Sequence, residues 1–68
     1  MSQDEAKAAL IAAGADDVAF MDSYGFTTGI KVEAGGKANA VRWTESFNGT
    51  LSAVRILKDW LAHHARPR

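Results

Sequence analysis

Two adjacent glycines, Gly35-Gly36, lie between two runs in which apolar and polar residues alternate, and this arrangement constrains the chain more than any other feature. Glycine accepts the positive φ angles of a two-residue hairpin turn, and alternation with a period of two marks a strand with one buried face. Before the turn, Phe26, Thr28, Ile30, Val32 and Ala34 alternate with Thr27, Gly29, Lys31 and Glu33. After it, Val41 and Trp43 share one phase, and Ala40 and Arg42 the other. A two-residue turn pairs Ala34 with Lys37, hence Ile30 with Val41 and Thr28 with Trp43, so the apolar members of both strands fall on one face. Turn chemistry and hydrophobic pattern agree.

Upstream, Val18, Phe20 and Asp22 alternate with Ala19, Met21 and Ser23 ahead of Tyr24-Gly25. A three-residue loop, Ser23-Tyr24-Gly25 with Gly25 left-handed, pairs Phe20 with Thr28 and Val18 with Ile30, which adds the first strand's apolar set to the same face. Strands are expected near residues 17–23, 26–34 and 37–46.

Helical signals flank this meander. Ser2 followed by Glu5 reads as a capping box, Ala6–Ala13 is rich in good helix formers, and Gly14 supplies a left-handed stop. Asn48 or Thr50 is the expected cap of a second helix in which Leu51, Val54, Leu57, Trp60 and Leu61 recur at helical spacing. His63, His64 and Arg66 suit the negative end of its dipole, and Pro67 cannot prolong it. With helices near 3–13 and 49–64, the expected fold is α+β: a single αβββα domain over 1–68, a three-stranded antiparallel meander with both helices on its one apolar face.

At 68 residues such a domain buries only about 60% of its unfolded surface, and with no cysteine it has neither disulfides nor a thiolate metal site to add stability. Eight basic residues balance eight acidic ones. Binding to nucleic acid driven by charge calls for a basic excess, so it is the weaker expectation. The start Met1-Ser2-Gln3-Asp4-Glu5 lacks the basic character of a signal peptide, and no apolar run approaches the ~20 residues of a membrane span. The expectation is a cytoplasmic protein with no membrane contact.

Catalytic and metal-binding constellations are wanting. Adjacent helical residues point about 100° apart, so His63 and His64 do not converge on one ion, and Asp59 with His63 makes too small a ligand set. Asp16-Asp17 follows a helix stop and Asp22 heads a hairpin loop, both places where aspartate makes turns. No nucleophile elbow is visible. Gly35-Gly36 leads into a strand and so is a hairpin turn, not a phosphate loop; Asn48-Gly49-Thr50 matches a glycosylation sequon but is more simply a cap. No enzymatic activity, cofactor or metal is expected.

The outward sheet face is the unusual element. It is expected to carry Ala19, Met21, Thr27, Gly29, Lys31, Ala38, Ala40, Arg42 and Thr44, small and sparsely charged for a surface facing water. Trp43 belongs to the buried phase, whereas Trp60 sits at the edge of its helix's apolar stripe, where a core position is the first reading and partial exposure the second. Met21, Thr27, Gly29, Lys31, Arg42 and Trp60 are therefore the candidate partner-binding residues, the partner being another protein or a second copy of the chain.

The αβββα order resembles the double-stranded-RNA-binding domain. That resemblance implies RNA contacts from the first helix, the first hairpin loop and the start of the last helix, here Ser2–Ala13, Ser23-Tyr24-Gly25 and Asn48-Gly49-Thr50-Leu51-Ser52, without a lysine cluster. An RNA- or DNA-binding domain is the alternative expectation. The leading one is a small stand-alone protein-binding module, an inhibitor of the kind phages and mobile elements encode, similar in size to anti-CRISPR proteins.

Overall fold

The computed structural model describes residues 1–64. Its elements are α1 (Gln3–Ala12), β1 (Asp17–Ser23), β2 (Phe26–Ala34), β3 (Lys37–Arg42) and α2 (Phe47–His64), an α+β fold with the expected αβββα order. The sheet is antiparallel in the order β1-β2-β3. One side of it carries the core: Val18, Ile30, Val32, Ala34 and Trp43 pack with Ala6 and Leu10 of α1 and with Ala53, Val54, Leu57 and Leu61 of α2. Trp43 meets the edge of the Phe20 ring at 5.2 Å, a T-shaped contact that closes the core near the first hairpin.

The local signals act as their chemistry requires. The Ser2 hydroxyl accepts the Glu5 amide and the Glu5 carboxylate accepts the Ser2 amide, completing the capping box. The Glu5 carboxyl is held below its ordinary pKa, first by the bond from the Ser2 amide and then by the Ser2 hydroxyl. Ala34 pairs with Lys37 and Ile30 with Val41 across Gly35-Gly36, both left-handed, and the Trp43 amide donates to the Thr28 carbonyl. Asp16 reaches across to accept the Gly35 amide at 3.0 Å, tying the end of α1 to the second turn.

The first hairpin departs from expectation. Its loop is the two-residue Tyr24-Gly25, both at positive φ, and Ser23 pairs with Phe26. A two-residue turn alone would turn Val18 and Phe20 away from Ile30. A β-bulge restores the phase: Asp22 pairs with Thr27 and Met21 with Gly29, leaving Thr28 as the extra residue. Phe20 therefore lies opposite Ile30 and Val18 opposite Val32, not opposite Thr28 and Ile30. The slip is two residues, so both side chains keep their expected face.

Residues beyond the bulge do not. Thr27, expected outside, turns to the helix side, where its hydroxyl accepts from Gln3 Nε2 at 2.8 Å and donates to Asp22 Oδ1 at 2.9 Å. Phe26, expected inside, is 71% exposed on the opposite side. Asp22 thus bonds a hydroxyl and not the loop amides.

β3 ends at Arg42, short of the expected 46, and α2 begins at Phe47, ahead of the expected 49. The cap is Ser46, whose hydroxyl accepts the Gly49 amide at 3.0 Å and whose carbonyl accepts the Thr50 amide. Gly49, read as part of a turn, lies inside the helix, at a position where a Cβ would sit 2.6 Å from Thr44 Cβ and 3.0 Å from its carbonyl oxygen. Arg66 and Pro67, read as the end of α2, lie outside the described residues.

Candidate partner-binding surface

Both helices cover one side of the sheet and leave the other open. Across that open side the register sets up parallel rows: Asp17, Glu33 and Ala38; then Ala19, Lys31 and Ala40; then Met21, Gly29 and Arg42; then Ser23 and Phe26 beside the Tyr24-Gly25 tip. The acidic residues occupy the first row, while Lys31 and Arg42 lie toward the tip. Tyr24 is 98% exposed and Phe26 71%. The open face therefore grades from acidic at one end to cationic and aromatic at the other.

Of the residues nominated from sequence, Met21, Gly29 and Arg42 share one row and Lys31 lies in the next, so these four form a surface. Gly29 is buried because the Met21 side chain lies over it; a Cβ at Gly29 would collide with the Met21 methyl. The expected flat patch at Gly29 is thus covered by a thioether. Thr27 does not belong to this surface, since the bulge turns it toward α1. Trp60 does not belong either: it is half-buried on α2, packs on the core and stacks on His64 with centroids 4.7 Å apart.

Sequence reading missed Tyr24, Phe26 and Phe47, the most exposed aromatic residues. Phe47 opens α2 just after the strand end that pairs beside Thr28, so it belongs to the same end of the molecule as the first hairpin. A warning signal existed for Tyr24, because a residue at the tip of a two-residue turn has nothing to pack against.

The cations needed for nucleic-acid binding are dispersed. Lys31 and Arg42 sit on the open sheet face, Lys37 at the opposite end of β3 from Arg42, and Arg55 and Lys58 on α2 across the core. His63 Nδ1 donates to the Asp59 carbonyl, and among the described residues no group of three or more His, Cys, Asp or Glu is placed to hold a metal ion. No described helix is long and apolar enough to cross a membrane. Compared with known proteins, the chain matches no family model, no curated protein and no solved structure. Likeness to the double-stranded-RNA-binding domain is one of element order alone.

Proposed function

We propose that the chain is a protein-binding module of the cytoplasm, whose contact surface is the tip-ward half of the open sheet face. The observation that carries this reading is the exposure of Tyr24 and Phe26 beside Met21, Lys31 and Arg42. Aromatic residues, methionine and arginine are the types enriched where proteins meet, and contiguous exposed apolar groups are uncommon on a surface with no partner. The finer reading is an inhibitor acting by contact, of the kind phages and mobile elements encode. It rests on the exposed aromatic and cationic groups of that face, with no group of three or more His, Cys, Asp or Glu placed to hold a metal among the described residues.

The test compares affinity capture by wild type, Phe26→Ser, Arg42→Glu and, as a control on the helix layer, Ile56→Ser. A partner retained by wild type and Ile56→Ser but lost by folded Phe26→Ser and Arg42→Glu supports the surface. Undiminished capture by both sheet variants removes it. Light scattering on the same samples separates a second copy of the chain from a different protein.

The aromatic tip beside two cations also supports a second reading, a single-stranded nucleic acid stacked on Tyr24 and Phe26. Titration with an oligonucleotide at two salt concentrations decides it, because phosphate contacts give salt-sensitive affinity and a protein surface gives none of this signal.

A further inference from the structure

On the helix layer, across the core from the open sheet face, a groove of about 260 Å³ is lined by Met1, Leu51, Val54, Arg55 and Lys58. The α2 residues among these are spaced i, i+3, i+4 and i+7, which makes them one stripe along the helix. The stripe is graded. Its N-terminal half has the side chains of Leu51, Val54 and Met1, with the Met1 amine turned to the Thr50 hydroxyl at 3.5 Å, and its C-terminal half, Arg55 and Lys58, is cationic. Neither Arg55 nor Lys58 has an ion-pair or hydrogen-bond partner among the described residues, so both charges are available to a ligand.

We propose that this groove binds a single-chain amphiphilic anion, a medium-chain carboxylate being the simplest case. The apolar tail lies over Leu51 and Val54 and the anionic head lies between Arg55 and Lys58. From Leu51 to Lys58 the stripe runs ~10 Å at 1.5 Å per residue, which matches the length of such a chain. The volume falls below the roughly 300–1,000 Å³ of sites for drug-sized ligands and suits a small ligand such as one unbranched tail. Two cations at the Arg55–Lys58 end, against one amine at the Leu51 end that already donates to Thr50 Oγ1, favour this orientation. This site is independent of the sheet surface and does not rest on the reading proposed for it.

The experiment titrates sodium decanoate, below its micellar range, into the ¹⁵N-labelled full chain and follows the amide signals. Decyltrimethylammonium, with the same tail and the opposite charge, and acetate, the head group alone, are run in parallel. The expected result is saturable amide shifts confined to residues 51–58 with decanoate, and none with the other two. The double variant Arg55→Gln, Lys58→Gln alters exposed side chains only, and it should keep the fold while weakening decanoate about tenfold or more. The proposal is overturned if decyltrimethylammonium moves the same amides equally, if the double variant binds as well as wild type, or if decanoate leaves residues 51–58 unmoved. An acidic apolar peptide that occupies the groove while decanoate does not would overturn it as well, by placing a protein segment there.

Discussion

The bulge at Thr28 makes a prediction in which the two neighbouring residues exchange roles. In an unbulged hairpin with the alternation intact, Phe26 lies in the core and Thr27 faces water. Truncating a core phenylalanine costs about 3–5 kcal/mol, and Thr→Val at an exposed strand position is close to neutral. In this structure Phe26 keeps 71% of its surface exposed. Full burial of a phenylalanine is worth up to about 3 kcal/mol, so Phe26→Ala is expected to cost less than about 1 kcal/mol. Thr27, by contrast, accepts from Gln3 and donates to Asp22. At about 0.5–1.5 kcal/mol net for each of the two bonds, Thr27→Val is expected to cost about 1–3 kcal/mol. Urea unfolding followed by far-UV circular dichroism ranks the two variants. In a domain of this size about 1 kcal/mol moves Tm by ~4–8 °C, which makes a thermal melt an adequate second readout. A Phe26→Ala variant losing 3 kcal/mol or more beside an unaffected Thr27→Val would refute both the bulge and the open-face position of Phe26.

Gly49→Ala separates propensity from packing: a better helix former gains about 1 kcal/mol at most, but the added Cβ presses on Thr44 and the Ser46 hydroxyl, so calorimetry should show a net loss of about 1–2 kcal/mol. Ile30→Ala, at a side chain with no exposed surface in the centre of the sheet, should cost about 2–5 kcal/mol by urea unfolding and leave the domain marginal. Because the Glu5 carboxyl is held below its ordinary pKa in the fold, its contribution is complete above the ordinary carboxylate range and is lost as pH falls through the lowered value. Melts across the acid range should show this loss in wild type and not in Glu5→Gln. Tyr24→Gly removes a left-handed non-glycine residue, so Tm should stay level or rise while partner capture through the tip falls; a drop of more than about 1 kcal/mol would mean that the ring contributes to packing.

The second hairpin was legible because two constraints coincide in it: Gly35-Gly36 admits the turn, and only one register aligns Ile30 with Val41. The first hairpin offered a single left-handed glycine, Gly25, and a three-residue loop uses just one. The actual turn asks Tyr24 for a positive φ as well, at 53°, which is uncommon for an aromatic residue, and the bulge that compensates has no compositional marker. Shortening the loop and adding a bulge cancel for Val18 and Phe20, so the core was read correctly from a wrong register. They do not cancel past the bulge, and there Thr27 entered the candidate site and Phe26 was left out of it. The start of α2 was misread for a related reason: Asn48-Gly49 has turn chemistry, and the need for glycine inside the helix arises from Thr44, which is close in space and not in pattern.

The same departure bears on where function lies. Holding Tyr24 left-handed costs of order 1–3 kcal/mol, and asparagine or glycine at the tip would avoid most of it. Packing does not account for the strain, because Tyr24 is 98% exposed and Phe26 returns little surface to the core. A regular three-residue loop, Ser23-Tyr24-Gly25, would have kept Phe26 among the buried apolar residues. The strained turn and the bulge instead leave Tyr24 exposed at the tip and set Phe26 outward, toward Met21, Lys31 and Arg42, on the one side of the sheet that neither helix covers. Local arrangements that cost stability and return no packing are best explained by what they present. Here that is the tip-ward sheet face, which is why the proposed contact surface is centred on Tyr24 and Phe26 and not on Trp60, whose ring already has a partner in His64.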